Sequence, residues 1–267
     1  MRRLAALLIT VGAVFVLFGS EEISASTPNA GHLWGLPAQR SFHEVVTLST
    51  GRRYEVEISR PTQGARPLII MLPGVGETST ELDASADAYS FGRANGITIA
   101  YAQQLTAPDG VTAWNAHGCC DQQQTDDLSY LRDVVISVEA LTAVDPHRVY
   151  LIGMSNGGMM ALDALCRMPQ TFSAAVSVAG PYLSGSCPRP TWLHLAGTKD
   201  GIVPVAGGME AWCNCTFPST TSEQSRFPGS TVLLFPNANH TWPRVNDGTW
   251  KFDGMTAAWN YLSQHPN

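Results

Sequence analysis

A serine sits between glycines in Gly153-Met154-Ser155-Asn156-Gly157-Gly158, at the spacing G-x-S-x-G. Residues 148–152 before it read as a buried strand, and residues 156–167 after it read as a helix. That context gives the motif its chemistry. A serine on a sharp strand-to-helix turn projects its hydroxyl above the sheet. Small residues at Gly153 and Gly157 allow the turn to pack closely. The helix N-terminus behind the serine favours developing negative charge. The backbone N–H of Asn156 is then an oxyanion donor. A chance Gly/Ser turn would need neither the strand nor the helix.

A serine nucleophile needs a base, and the base needs an orienter. On a turn of this kind the chain order is serine, acid, histidine. Three histidines follow Ser155. His194 lies inside a strand and reads as a satisfied core residue. His265 is close to the C-terminal residue. His240 stands in a loop after the strand 232–235 and is the candidate base. Four acids lie between Ser155 and His240: Asp163, Asp200, Glu210 and Glu223. Asp163 falls inside the helix that Ser155 opens. Glu210 reads as helical and Glu223 as part of a polar loop. Asp200 follows the strand 192–196, where groups beyond the carboxyl ends of strands form the sites of open α/β sheets. Asp200 is the candidate orienter. The second oxyanion donor should come from the loop after the strand 67–72, Pro73-Gly74-Val75-Gly76, with the N–H of Val75 as the candidate. The other reading of that loop is a tight turn with no chemistry.

These groups need a scaffold. Residues 44–60 alternate apolar positions (Val46, Leu48, Tyr54, Val56, Ile58) around Ser49-Thr50-Gly51, the pattern of a β-hairpin. Residues 67–72 are apolar throughout, as in a strand buried on both faces. Helix 82–95, strand 97–100, helix 125–143, strand 148–152, helix 156–167 and strand 174–178 follow. Strands 192–196 and 232–235 and helix 252–264 complete the series. In the helix 125–143, Leu128, Leu131, Val134, Val135, Val138 and Leu141 recur every three or four residues. Asp126 and Asp127 fall in its first turn, where the helix dipole favours them. The expectation is an α/β class fold, a mostly parallel central sheet flanked by helices.

With 267 residues, 44% hydrophobic and 14% charged, the chain can bury one substantial core. A net charge of −6 provides no basic face for nucleic acid. Residues 1–26 read as a secretory signal peptide, with Arg2-Arg3, an apolar run over 4–18, and Ser24-Ala25-Ser26 for cleavage. An uncleaved N-terminal anchor is the rival reading. Residues 27–267, with no linker visible, are expected to form a single catalytic domain outside the cytoplasm, with no membrane span. Six cysteines in an exported chain point to disulfides. The tight pairs Cys119-Cys120 and Cys213-x-Cys215 lack zinc-ligand spacing, so no metal is expected. Cys119 and Cys120 stand too close in sequence to pair comfortably. Each is expected to bridge to one of Cys166 and Cys187, while Cys213 and Cys215 pair through a tight loop.

Further stretches carry a family resemblance: Trp114-Asn115-Ala116-His117-Gly118-Cys119-Cys120, Val144-Asp145-Pro146-His147-Arg148-Val149-Tyr150 and Gly153 to Met160. Cys187-Pro188-Arg189-Pro190, Gly197-Thr198-Lys199-Asp200 with Val203-Pro204, and His240-Thr241-Trp242-Pro243 complete the set. Over nearly all of residues 41–265 the chain resembles the α/β-hydrolase branch of poly(3-hydroxybutyrate) depolymerases, feruloyl esterases and acetyl xylan esterases. The resemblance implies an α/β-hydrolase fold and the triad Ser155, Asp200 and His240. One departure bears on the oxyanion loop. These relatives carry His-Gly where this chain has Pro73-Gly74, and proline offers no N–H.

The expected function is hydrolysis of a carboxylic ester through an acyl-enzyme, without cofactor. The expected partner is a small-molecule or oligomeric ester, bound by a monomer. Trp114 and Trp242 offer flat apolar area and are the candidate substrate-binding residues. The alternatives are a serine peptidase on the same fold and a secreted binding protein with a degenerate site.

Overall fold

The computed structural model describes residues 41–267 apart from 60–63, 108–109, 118, 121–123 and 247. The expected signal peptide lies outside the described residues. Those described fall within one compact unit, Ala38–Asn267.

The alternating segment forms the expected hairpin. Phe42–Thr47 (β1) pairs antiparallel with Arg53–Ile58 (β2). Gly51 closes the turn by donating to the Leu48 carbonyl. β2 then pairs antiparallel with Thr98–Ala102 (β4). The remaining strands of this sheet are parallel: Arg66–Leu72 (β3), Val144–Met154 (β5), Ala174–Val178 (β6), Trp192–Gly197 (β7) and Thr231–Phe235 (β8). The strand order is β1-β2-β4-β3-β5-β6-β7-β8.

Period-two alternation divides the central strands between two cores. Leu68, Ile70 and Leu72 of β3 face one side, with Leu151 of β5 and the apolar residues of Asp127–Leu141 (α3) and Asn156–Arg167 (α4). Ile69 and Met71 face the other side, with Ile152 and residues of Ser79–Ala86 (α1), Ala88–Asn95 (α2) and Gly254–Leu262 (α6). A parallel sheet needs such covering on both faces. No helix among the described residues is long and apolar enough to cross a membrane.

Four details differ from expectation. The helix expected over 82–95 is two helices. Asp87, at φ 53°, closes α1 by donating its N–H to Asp83, and the chain then restarts as α2. Asp tolerates this left-handed conformation better than most residues. β5 begins at Val144, earlier than expected, because Val144 pairs with Arg66 of β3. Glu210 lies in a two-stranded ribbon, Gly208–Glu210 with Cys215–Phe217, and not on a helix. Glu223 begins the short helix Glu223–Arg226 (α5) and is buried. Its carboxylate accepts from Trp192 Nε1 at 2.7 Å and lies 3.0 Å from His194 Nδ1. His194 is thus a core histidine whose Nδ1 is partnered by Glu223, while its buried Nε2 has no partner among the described residues, so it is only half satisfied.

Candidate active site

Ser155 occupies the turn between β5 and α4 with φ 54° and ψ −123°. A non-glycine residue at positive φ is strained and persists only where its surroundings impose it. Two glycines explain how. A Cβ on Gly153 would lie 2.2 Å from the Gly157 carbonyl oxygen, and one on Gly157 would lie 2.0 Å from the carbonyl oxygen of Leu72. Backbone therefore presses on backbone where α4 leaves the sheet. The Ser155 N–H donates to Val178 of β6 at 2.7 Å, which ties the turn to the neighbouring strand.

Four strand ends converge here. Gly74 and Val75 follow β3, Ser155 follows β5, Asp200 follows β7 and His240 follows β8. Ser155, His240, Gly74 and Val75 line one cavity of about 600 Å³, with Glu77, Met154, Ile202 and Trp212. Asp200 is buried beneath it. One of its carboxylate oxygens accepts from the N–H groups of Ile202 and Val203 at 2.9 and 2.8 Å. The other lies 2.7 Å from His240 Nδ1. A carboxylate there fixes the ring so that Nδ1 carries the proton and Nε2 is the acceptor.

Asn156 opens α4, so its N–H is among those with no intrahelical partner. Its side chain is held inside the protein. Oδ1 accepts from the Trp114 N–H at 2.7 Å, and Nδ2 donates to the carbonyls of Trp114 and Cys119. The ribbon Asn115–Ala116 with Cys119–Cys120 is in turn held by Asp127. That buried carboxylate accepts from the Asn115 N–H and from Arg52, which also stacks on the Tyr130 ring.

Both tryptophans read as substrate-binding are corrected by their burial. Trp114 is fully buried, stacked on Tyr130, and its indole N–H donates to the Pro73 carbonyl at 2.9 Å. It braces the loop 73–76. Trp242 is buried against Gly254, where even one added methyl would collide with its indole. The aromatic that does line the cavity is Trp212, about half exposed, which donates to the Ile202 carbonyl. It lies in the turn of the ribbon that carries Glu210, and no periodicity singles it out in the sequence.

The cysteine pairing is also corrected. Cys119 bonds to Cys120, Cys166 to Cys187, and Cys213 to Cys215. The Cys119–Cys120 ribbon packs at the Asn156 end of α4, and Cys166 lies ten residues further along that helix, about 15 Å at the usual rise. Only Cys166–Cys187 joins segments distant in sequence. The Cys213–Cys215 pair is as expected.

Glu77 is a group that sequence reasoning missed. It lines the cavity, and its Oε2 accepts from the Gly74 N–H at 2.7 Å. Burial pushes its carboxyl above the usual range. The Gly74 hydrogen bond opposes that rise, Glu81 adds to it, and His240 opposes it.

Comparison with known proteins accords with this geometry. Residues 99–184 match the prolyl oligopeptidase family, a stretch that includes Ser155 and ends before Asp200 and His240. The chain is 30% identical over 181 residues to the putative esterase NocK of Nocardia uniformis subsp. tsuyamanensis, covering 64% of this chain and 51% of that protein. It is 26% identical over 153 residues to feruloyl esterase B of Piromyces equi, covering 54% of this chain and 28% of that one. The acetyl xylan esterase from Aspergillus awamori superposes with a TM-score of 0.61 at 11% identity, covering 83% of this chain and 99% of that one.

The fold is an α/β-hydrolase fold. The strand order, the turn at Ser155 and the convergence of strand ends all accord with it. The chain spans about half or less of the length of these two curated relatives.

Proposed function

We propose that this α/β-hydrolase is a serine carboxylic-ester hydrolase acting through an acyl-enzyme. The observation that carries the reading is the 2.7 Å contact of His240 Nδ1 with Asp200, on a histidine that shares its cavity with Ser155. Ser155 Oγ attacks the ester carbonyl while its proton passes to His240 Nε2. The oxyanion that forms takes hydrogen bonds from the N–H groups of Asn156 and Val75. The imidazolium then protonates the departing alcohol. Water repeats the sequence on the acyl-enzyme and returns the serine. Asp200 stabilises the imidazolium and keeps its own charge. None of these steps draws on a cofactor.

An accounting of N–H groups supports Val75. Pro73 has none, Gly74 donates to Glu77, Gly76 donates to Thr112, and Glu77 donates to Gly74. Within 73–77, Val75 alone keeps an N–H without a partner among the described residues, so the loss of the donor at Pro73 leaves the hole intact. The cavity wall of Met154, Ile202 and Trp212 suits an apolar acyl or aryl group, as does the similarity to a feruloyl esterase. Three disulfides suit an oxidising compartment and so support export. A second reading, amide hydrolysis by the same groups, draws on the match to the prolyl oligopeptidase family.

The test compares wild type with Ser155→Ala on matched p-nitrophenyl esters and p-nitroanilides, alongside labelling by a fluorophosphonate. Wild type should label and should favour the ester. The variant should lose a factor on the order of 10⁴ or more and should not label. A folded variant that kept a tenth of the wild-type rate would exclude Ser155 as the nucleophile. A faster anilide would favour the peptidase.

A further inference from the structure

We infer that Glu77 and Gln104 are positioning residues that clamp two consecutive peptide planes of the oxyanion loop and so aim the Val75 N–H. The inference rests on the ester-hydrolase reading above. Each plane is held by side chains. In the Pro73–Gly74 peptide, the carbonyl accepts from Gln104 Nε2 at 3.0 Å and Trp114 Nε1 at 2.9 Å, while the N–H donates to Glu77 Oε2 at 2.7 Å. In the Gly74–Val75 peptide, the carbonyl accepts from the same Gln104 Nε2 at 2.7 Å. A trans peptide is planar, and its C=O and N–H point in opposite directions. Holding the Gly74 oxygen therefore fixes where the Val75 N–H points.

Gly74 sits in ordinary contact distance of both neighbours, Glu77 and Ser155. A Cβ there would lie 3.4 Å from both Glu77 Oε2 and Ser155 Cβ, so the loop is seated between the carboxylate and the nucleophile. Glu77 needs only an acceptor oxygen to hold Gly74, and a glutamine amide offers one at the same reach. An aspartate keeps the charge but is shorter by one methylene. These two substitutions therefore separate the hydrogen bond from the charge. Gln104 lies just beyond β4, and its replacement by alanine removes the one side chain that bridges both carbonyls, leaving Trp114 Nε1 on Pro73 and the Glu77 N–H on Gly74.

The experiment measures kcat and KM on p-nitrophenyl butyrate, the rate of fluorophosphonate labelling, and hydrogen exchange at the Gly74 amide. The proteins are wild type, Glu77→Gln, Glu77→Asp and Gln104→Ala. Misaiming a transition-state donor lowers kcat with little change in KM. Glu77→Asp and Gln104→Ala should lose roughly tenfold to a hundredfold in kcat, and labelling should slow in parallel. Glu77→Gln should stay within about threefold of wild type. Gly74 exchange should quicken in Glu77→Asp and stay slow in Glu77→Gln. Wild-type kcat in Glu77→Asp and Gln104→Ala would overturn the proposal. So would a Glu77→Gln as slow as Glu77→Asp, since charge would then matter and not the bond. Losses confined to KM would make these substrate contacts instead. A wild type that neither labels nor hydrolyses would overturn the hydrolase reading and this proposal together. Normal wild-type labelling with unaffected variants would overturn this proposal alone.

Discussion

At the scale of single residues, the acids of this chain differ in fate according to what surrounds each carboxylate. Asp200 has two backbone N–H donors on one oxygen and an imidazole on the other. Asp163 is equally buried, but among the described residues one of its oxygens has no partner and the other has only a solvent-exposed Arg167 at 3.4 Å. Burial pushes the Asp163 carboxyl above its ordinary 3.8, with Arg167 opposing. A carboxyl whose folded pKa is raised favours the fold below the unfolded value. That advantage is lost as pH rises through the folded one. Asp163→Asn is neutral at every pH. Its melting temperature should match wild type near about pH 3 and exceed it by a few degrees near about pH 8. Thermal unfolding at the two pH values checks this. A gap that narrowed on going alkaline would reverse the sign assigned to Asp163.

At the scale of elements, the site depends on how closely α4 approaches β3 and β5. That approach is set by backbone atoms and not by apolar side chains. The Gly157 position touches Leu72, the last residue of β3, immediately before the loop 73–76. One methyl there must displace either helix or strand, because the atoms it meets belong to the main chain. Gly157→Ala should cost at least about 2–3 kcal/mol in urea unfolding, at the upper end of overpacking penalties. It should also slow fluorophosphonate labelling, since the displaced elements carry Ser155 and Val75. A variant as stable and as reactive as wild type would show that the helix can retreat without moving Ser155.

At the scale of the whole molecule, the three disulfides are unequal. Cys119–Cys120 and Cys213–Cys215 close loops of almost no length and add little constraint to an unfolded chain. Cys166–Cys187 spans 21 residues and ties the end of α4 to the segment between β6 and β7. Replacing both of its cysteines by alanine should lower stability by about 3 kcal/mol, the loop-closure value for that span. The pocket lies at the opposite end of α4, so the specific activity of the folded fraction should be unchanged. Urea unfolding and active-site titration measure the two quantities separately. Equal stability with and without this bridge would remove its assigned role.

Chain order and local pattern were enough to read Ser155, Asp200 and His240 as a set. The signals behind them are short-range: a strand before, a helix after, a loop beyond a strand end. The alternating strands and helices likewise follow from apolar spacing that each segment carries in itself. What tertiary structure alone decided concerns side chains whose environment is assembled from distant segments. Trp114 and Trp212 are the same residue type. The first is buried where it stacks on Tyr130 of α3 and reaches the Pro73 carbonyl, and the turn of a remote ribbon brings the second to the cavity. Glu223 reads as a loop residue until β7 places two donors against it. Glu77 reads as the residue after a turn until its carboxylate is found on the Gly74 N–H, facing the cavity. Periodicity reports which face of an element is buried. It carries no information about which neighbour does the burying, and in this protein the neighbours separate the residues around the cavity from those beneath it.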